Sequence, residues 1–126
     1  MKITYTADGL KRMLWQIYKC KYPFELLLVD KRPKTRMGVY IVRKRRIRVY
    51  SKYANVCPLE EIAIHEYAHH IHETEKRKSE NRRRERAHGP EFWRIYSALM
   101  AVAQLKGIFT DPLIEDLVGC FPLKKT

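Results

Sequence analysis

Cysteine is scarce in this chain and poorly placed for structure. Only Cys20, Cys57 and Cys120 occur, an odd number at wide spacing. No CxxC pair exists, which excludes a zinc ribbon, and the simplest reading is reduced thiols in a cytoplasmic protein. Long apolar runs are missing too, so no segment approaches a membrane span and no membrane partner is expected. The first residues carry Lys2, Asp8, Lys11 and Arg12 and lack an apolar stretch of the kind that signal peptides use. Negative charge is in short supply. Fourteen Asp+Glu face twenty-six Lys+Arg, for a net charge of +12. That balance favours contact with polyanions, nucleic acid above all.

The 126 residues suit a single domain, 1–126, with one modest core. Asp8 is a candidate cap for a first helix, whose stripe Leu10, Met13, Leu14, Ile17, Tyr18 falls at helical spacing. "FELLLVD" (24–30) reads as a strand buried on both faces in its middle. "RMGVYIV" (36–42) and "IRVYS" (47–51) are separated by little more than "RKRR", which predicts a hairpin. Gly38 marks a bulge or a close backbone approach.

Cys57-Pro58-Leu59-Glu60-Glu61 opens a second long helix that runs to about residue 76. Residues 76–87 form a basic charged loop. Gly89-Pro90-Glu91 starts another helix with the stripe Phe92, Ile95, Tyr96, Leu99, Met100, Ala103, ended by Gly107. Residues 111–119 allow a short last helix. The expected class is α+β: a helix, a small three-stranded antiparallel or mixed sheet, two long helices and a short one. No internal repeat is visible.

The densest chemistry lies in "IHEYAHHIHE" (64–73), where four histidines and two glutamates sit within an apolar helical pattern. His65 and His69 are one helical turn apart, so their rings share a face about 6 Å apart at Cβ, a span one zinc ion bridges. Glu66 stands roughly 100° around the helix, poorly placed as a ligand and well placed as a general base. A catalytic zinc takes three protein ligands and leaves one position open. His72 lies about 10 Å from His65 along the axis and converges badly. Glu73 sits on the same continuous helix. His88, next to Gly89 and free of helical constraint, is the better third ligand. His70 and His72 are then solvent-facing or support the ligands from behind.

"HEYAHH" followed by "HGPEFW" (88–93) resembles the SprT-like zinc metallopeptidases, which include the Spartan group. The resemblance covers roughly residues 1–105 and is specific in the two metal segments. It implies a zincin-like core of minimal gluzincin type, zinc held by His65, His69 and His88, and Glu66 as catalytic base. It also implies a protein or peptide substrate, with DNA-linked proteolysis as the biological role.

Residues 31–52 hold ten Lys/Arg and no acid, with Tyr40 and Tyr50 interleaved. The run Arg43, Lys44, Arg45, Arg46 suits phosphate contacts, and Arg82, Arg83, Arg84 are weaker candidates beside Glu85. Two functions follow: a zinc endopeptidase acting on DNA-associated proteins, or a catalytically silent zinc-containing domain that binds nucleic acid or serves as an adaptor. An intact Glu66 beside the ligands favours the first.

Overall fold

The computed structural model describes residues 5–76 and 88–108. Helix α1 spans Ala7–Ile17, strand β1 Glu25–Val29, β2 Gly38–Ile41 and β3 Arg46–Tyr50. Helix α2 spans Leu59–Ile71 and α3 Pro90–Leu105. The class is therefore mixed α+β, with three helices and a small three-stranded mixed sheet. The expected helix over 111–119, Cys120, and Arg82, Arg83 and Arg84 lie outside the described residues. Among the described residues no helix is long and apolar enough to cross a membrane.

Thr6, not Asp8, caps α1, its hydroxyl accepting from the Gly9 amide at 2.9 Å. Asp8 instead pairs along the helix with Arg12. Leu10, Leu14 and Ile17 are buried as their spacing requires, each worth about 1.5–3 kcal/mol on burial. Tyr18 falls just beyond the helix end and stays exposed.

Strand order is β1-β3-β2, with β1 parallel and β2 antiparallel to β3. Among the described residues, the helices pack on one face of the sheet. Leu26, Ile47 and Val49 point into the core, while Leu27 is exposed on the other face. The expectation that 24–30 is buried on both faces therefore fails at Leu27: β1 is an edge strand of a sheet covered on one side. The predicted hairpin forms between β2 and β3. Its basic connection makes one tight turn over Val42–Lys44, and Arg45 takes the left-handed conformation at φ 49.

Helix α2 is the centre of the molecule, packed by the sheet, α1 and α3. Pro58 caps it from just outside, and Glu60 and Glu61 fill its first turn. After Ile71 the winding loosens into a wider π-type turn over His72–Lys76. Glu75 ties that turn back to the α1–β1 connection, accepting from the Tyr18 hydroxyl and from the Lys21 amide at 2.8 Å. Helix α3 begins with Gly89 as cap and Pro90 at its first position. All six residues of its expected stripe are buried, and Gly107, at φ 74, ends it. Gly89 itself has φ −82, a value open to any residue.

Candidate metal centre

From Glu61 to His72 every residue of the central helix is buried except His65 and His69. Those two half-buried rings open onto a cleft of about 520 Å³ between α2 and the segment running into β2. His88, in the turn that leads into α3, completes the group. Its Nε2 lies 3.0 Å from Nε2 of His69 and 3.3 Å from Nε2 of His65. All three donor atoms lie within 4.8 Å of one another.

These separations fit a metal ion. Zinc bound to imidazole at about 2.0–2.1 Å in a tetrahedron sets its nitrogens about 3.3–3.4 Å apart. An imidazole nitrogen carries either a proton or a lone pair, never both. His88 Nε2, facing two other ring nitrogens, serves both contacts only by splitting one hydrogen bond. A cation at the centre of three lone pairs removes the conflict. His69 is held neutral: burial first, then the neighbouring His65, His88 and His72, push it down to about 3. Neutral imidazole is the form that binds metal.

Aromatic packing fixes the rings. Phe92, fully buried one turn after His88, stacks on His69 at 4.3 Å between ring centroids and meets His65 edge-on at 5.1 Å. Tyr96 stands edge-on to His65 at 5.6 Å. Its hydroxyl donates to Glu61 Oε2 at 3.1 Å, and Cys57 Sγ donates to Glu61 Oε1 at 3.1 Å. Glu61 thus sits buried behind His65, and its burial raises its pKa despite both hydrogen bonds.

Glu66 lines the same cleft and is only 7% exposed. Burial pushes its carboxyl up to about 8, with Arg36 opposing the rise. A carboxylate so raised is a stronger base than an exposed one.

His70 and His72 do not face solvent: each is 0% exposed. Nor does His70 touch the ligand rings from behind. It points to a different side of α2, where Nε2 donates to the Tyr22 carbonyl at 2.9 Å and Nδ1 accepts from the Tyr40 hydroxyl at 2.8 Å. That bonding assigns a neutral ring.

The close approach expected at Gly38 is real. A Cβ there would lie 2.8 Å from Ile62 Cγ2, 3.0 Å from the Arg48 carbonyl oxygen and 3.2 Å from Glu66 Cγ. The glycine lets β2 lie directly on the line of α2 that carries Glu66. Arg43, Lys44 and Arg45 are exposed at the hairpin connection. Arg45 lies over the Tyr22 ring at 5.1 Å, and Arg46 pairs with Glu25 at 2.7 Å.

Sequence reasoning missed three contributors: Phe92 as the shelf under His69, Glu61 behind His65, and Arg36 in the cleft wall. Phe92 carried only the signal of the α3 stripe, since His88 lies before the Gly89 cap and outside the helix. Arg36 carried none, being one cation in a run of ten.

Comparison of the chain with protein-family models, with curated proteins and with solved structures finds no match in any of the three. The reading of function therefore stands on the geometry of the site and the motif that builds it.

Proposed function

We propose that this protein is a zinc-dependent endopeptidase with a zincin-like core, of the SprT-like kind that its two metal segments resemble. The observation that carries the reading is the convergence of His65, His69 and His88 beside the buried carboxylate of Glu66. The three histidines would hold the ion. A bound zinc supplies a Lewis acid for the substrate carbonyl and lowers the pKa of water. Glu66 accepts the proton of the attacking water and returns it to the leaving amine.

Strand β2 supplies the substrate platform. It is an edge strand, and the Tyr50 amide donates to the Met37 carbonyl at 3.1 Å. Antiparallel pairs alternate between bonded and non-bonded. With Met37–Tyr50 bonded, Val39–Arg48 and Ile41–Arg46 are bonded as well. Among the described residues, the N–H and C=O groups of Gly38 and Tyr40 have no strand partner and lie on the outer edge, beside the cleft. A peptide added there gains main-chain hydrogen bonds and passes the Glu66 carboxylate.

A metal-binding module without hydrolysis has no use for a buried carboxylate in its cleft, since burying one costs free energy. Glu66→Gln tests the assignment. Zinc content stays at one per chain, while hydrolysis of denatured protein substrates falls by about 10³-fold or more. Cleavage at the wild-type rate would rule out Glu66 as the base.

The hairpin connection supports a nucleic-acid-associated substrate. Arg43 and Lys44 are exposed and make no ion pair or hydrogen bond among the described residues. Duplex DNA should bind with an affinity that falls steeply with salt, and Arg43→Ala with Lys44→Ala should reduce the log–log slope by about 2. Binding indifferent to salt removes this assignment.

A further inference from the structure

Ten cations crowd residues 31–52, yet they have different fates. Arg32 lies over the Tyr53 ring at 4.6 Å and donates to the Lys52 carbonyl. Arg45 rests on Tyr22, and Arg46 is paired with Glu25. Arg36 differs from these three. It lines the metal cleft and makes no hydrogen bond or ion pair with any described residue.

Arg36 lies just before β2: Met37, where the chain bends into the strand, is still bonded to Tyr50, and Arg36 is the residue before it. Gly38 faces Ile62 and Glu66, and the Tyr40 hydroxyl reaches His70, so this set of positions faces α2. Arg36 and Glu66 line the same cleft, which puts Arg36 on the cleft side of the approach to β2.

We propose that Arg36 is the specificity-determining residue of the cleft, binding a carboxylate of an extended peptide laid along the open edge of β2. The inference rests on the endopeptidase reading for the identity of the cleft's occupant. A guanidinium presents a fork of donors that matches a carboxylate with two parallel hydrogen bonds. Glu73 lines the opposite end of the cleft. Ile62, near the Arg36 end, and Glu73 are about 16 Å apart along the helix, the length of about five extended residues. The cleft therefore favours a carboxylate at the Arg36 end of the peptide. Two sources offer that group, an Asp or Glu side chain and the free C-terminus of a chain.

The test uses the full-length, zinc-loaded Glu66→Gln protein and rhodamine-labelled decapeptides read by fluorescence anisotropy. The reference peptide is neutral and C-terminally amidated. One set replaces a single Gln by Glu at each position in turn, and another peptide keeps a free C-terminal carboxylate. Glu at one end should tighten binding about tenfold over the reference, and Arg36→Ala should bring that peptide down to the reference level. Arg36→Glu should shift the preference to Lys-bearing peptides. A gain confined to the free C-terminal peptide also supports the inference and assigns the carboxylate to a chain end. Equal binding of acidic and neutral peptides in every register, or a preference that survives Arg36→Ala, overturns it. If wild-type protein cleaves none of the peptides while the Arg36-dependent preference persists, the hydrolase reading fails and this one stands.

Discussion

One helix carries histidines with opposite fates. Facing the cleft from α2, His65 and His69 stay partly exposed and turn their Nε2 atoms to His88. One step further round, adjacent to His69 in sequence, His70 is sealed between the Tyr40 hydroxyl and the Tyr22 carbonyl. In the first group three ring nitrogens converge within 4.8 Å of one another, an arrangement that a divalent cation would satisfy. In the second, each nitrogen has one complementary partner, and the ring acts as a polar strut. A rotation of about 100° around the helix separates a binding group from a structural one.

The sharpest way to break this comparison is to remove one ring from each side. His69→Ala should lower zinc affinity by about 10³-fold, since three ligands share a binding free energy of roughly 10 kcal/mol or more. Competition with a chromophoric chelator measures it, and the melting temperature of the metal-free protein should hardly fall. Wild-type affinity in that variant would show that the ion, if bound, sits elsewhere.

His70→Phe should do the reverse. It keeps the volume but leaves the Tyr22 carbonyl and the Tyr40 hydroxyl without their partner, at about 2–4 kcal/mol. For a chain of this size that lowers the midpoint by roughly 10 °C, while zinc stoichiometry stays at one. A loss of zinc with unchanged stability would merge the two sides and refute the distinction.

The smallest effect is with pH. Burial lowers the pKa of His70, so the folded state holds it neutral while the unfolded chain protonates near 6.5. The folded state then binds fewer protons, and its contribution to stability is fully present above about 6.5 and declines as pH falls. Metal-free protein should lose stability in urea between pH 7 and 5, and His70→Phe should lose less over the same interval. Equal slopes would mean that other groups dominate the acid limb.

Much of the site was legible before the fold. The four-residue spacing of His65 and His69 forces a shared face on any helix, and Glu66 follows from the same 100° step. The stripe of α3 was legible for the same reason, and all six of its positions are buried. Strand β1 was harder, because after Glu25 the run "LLLV" reads as apolar and nothing local says that only one face is covered. The burial of His70 was also invisible, since its cover comes from distant residues such as Tyr22 and Tyr40.

The sequence alone determined the elements with a strong period, the short hairpin and the pairing of two imidazoles with a carboxylate on one helix, because these depend on backbone geometry within a few residues. Only the tertiary structure decided that His88 meets them, that Gly38 brings an edge strand onto Glu66, that Arg36 lines the cleft and that His70 is a strut. Those outcomes join residues ten to thirty positions or more apart, and contacts at that range are set by how helices and sheet pack rather than by any local preference of the chain.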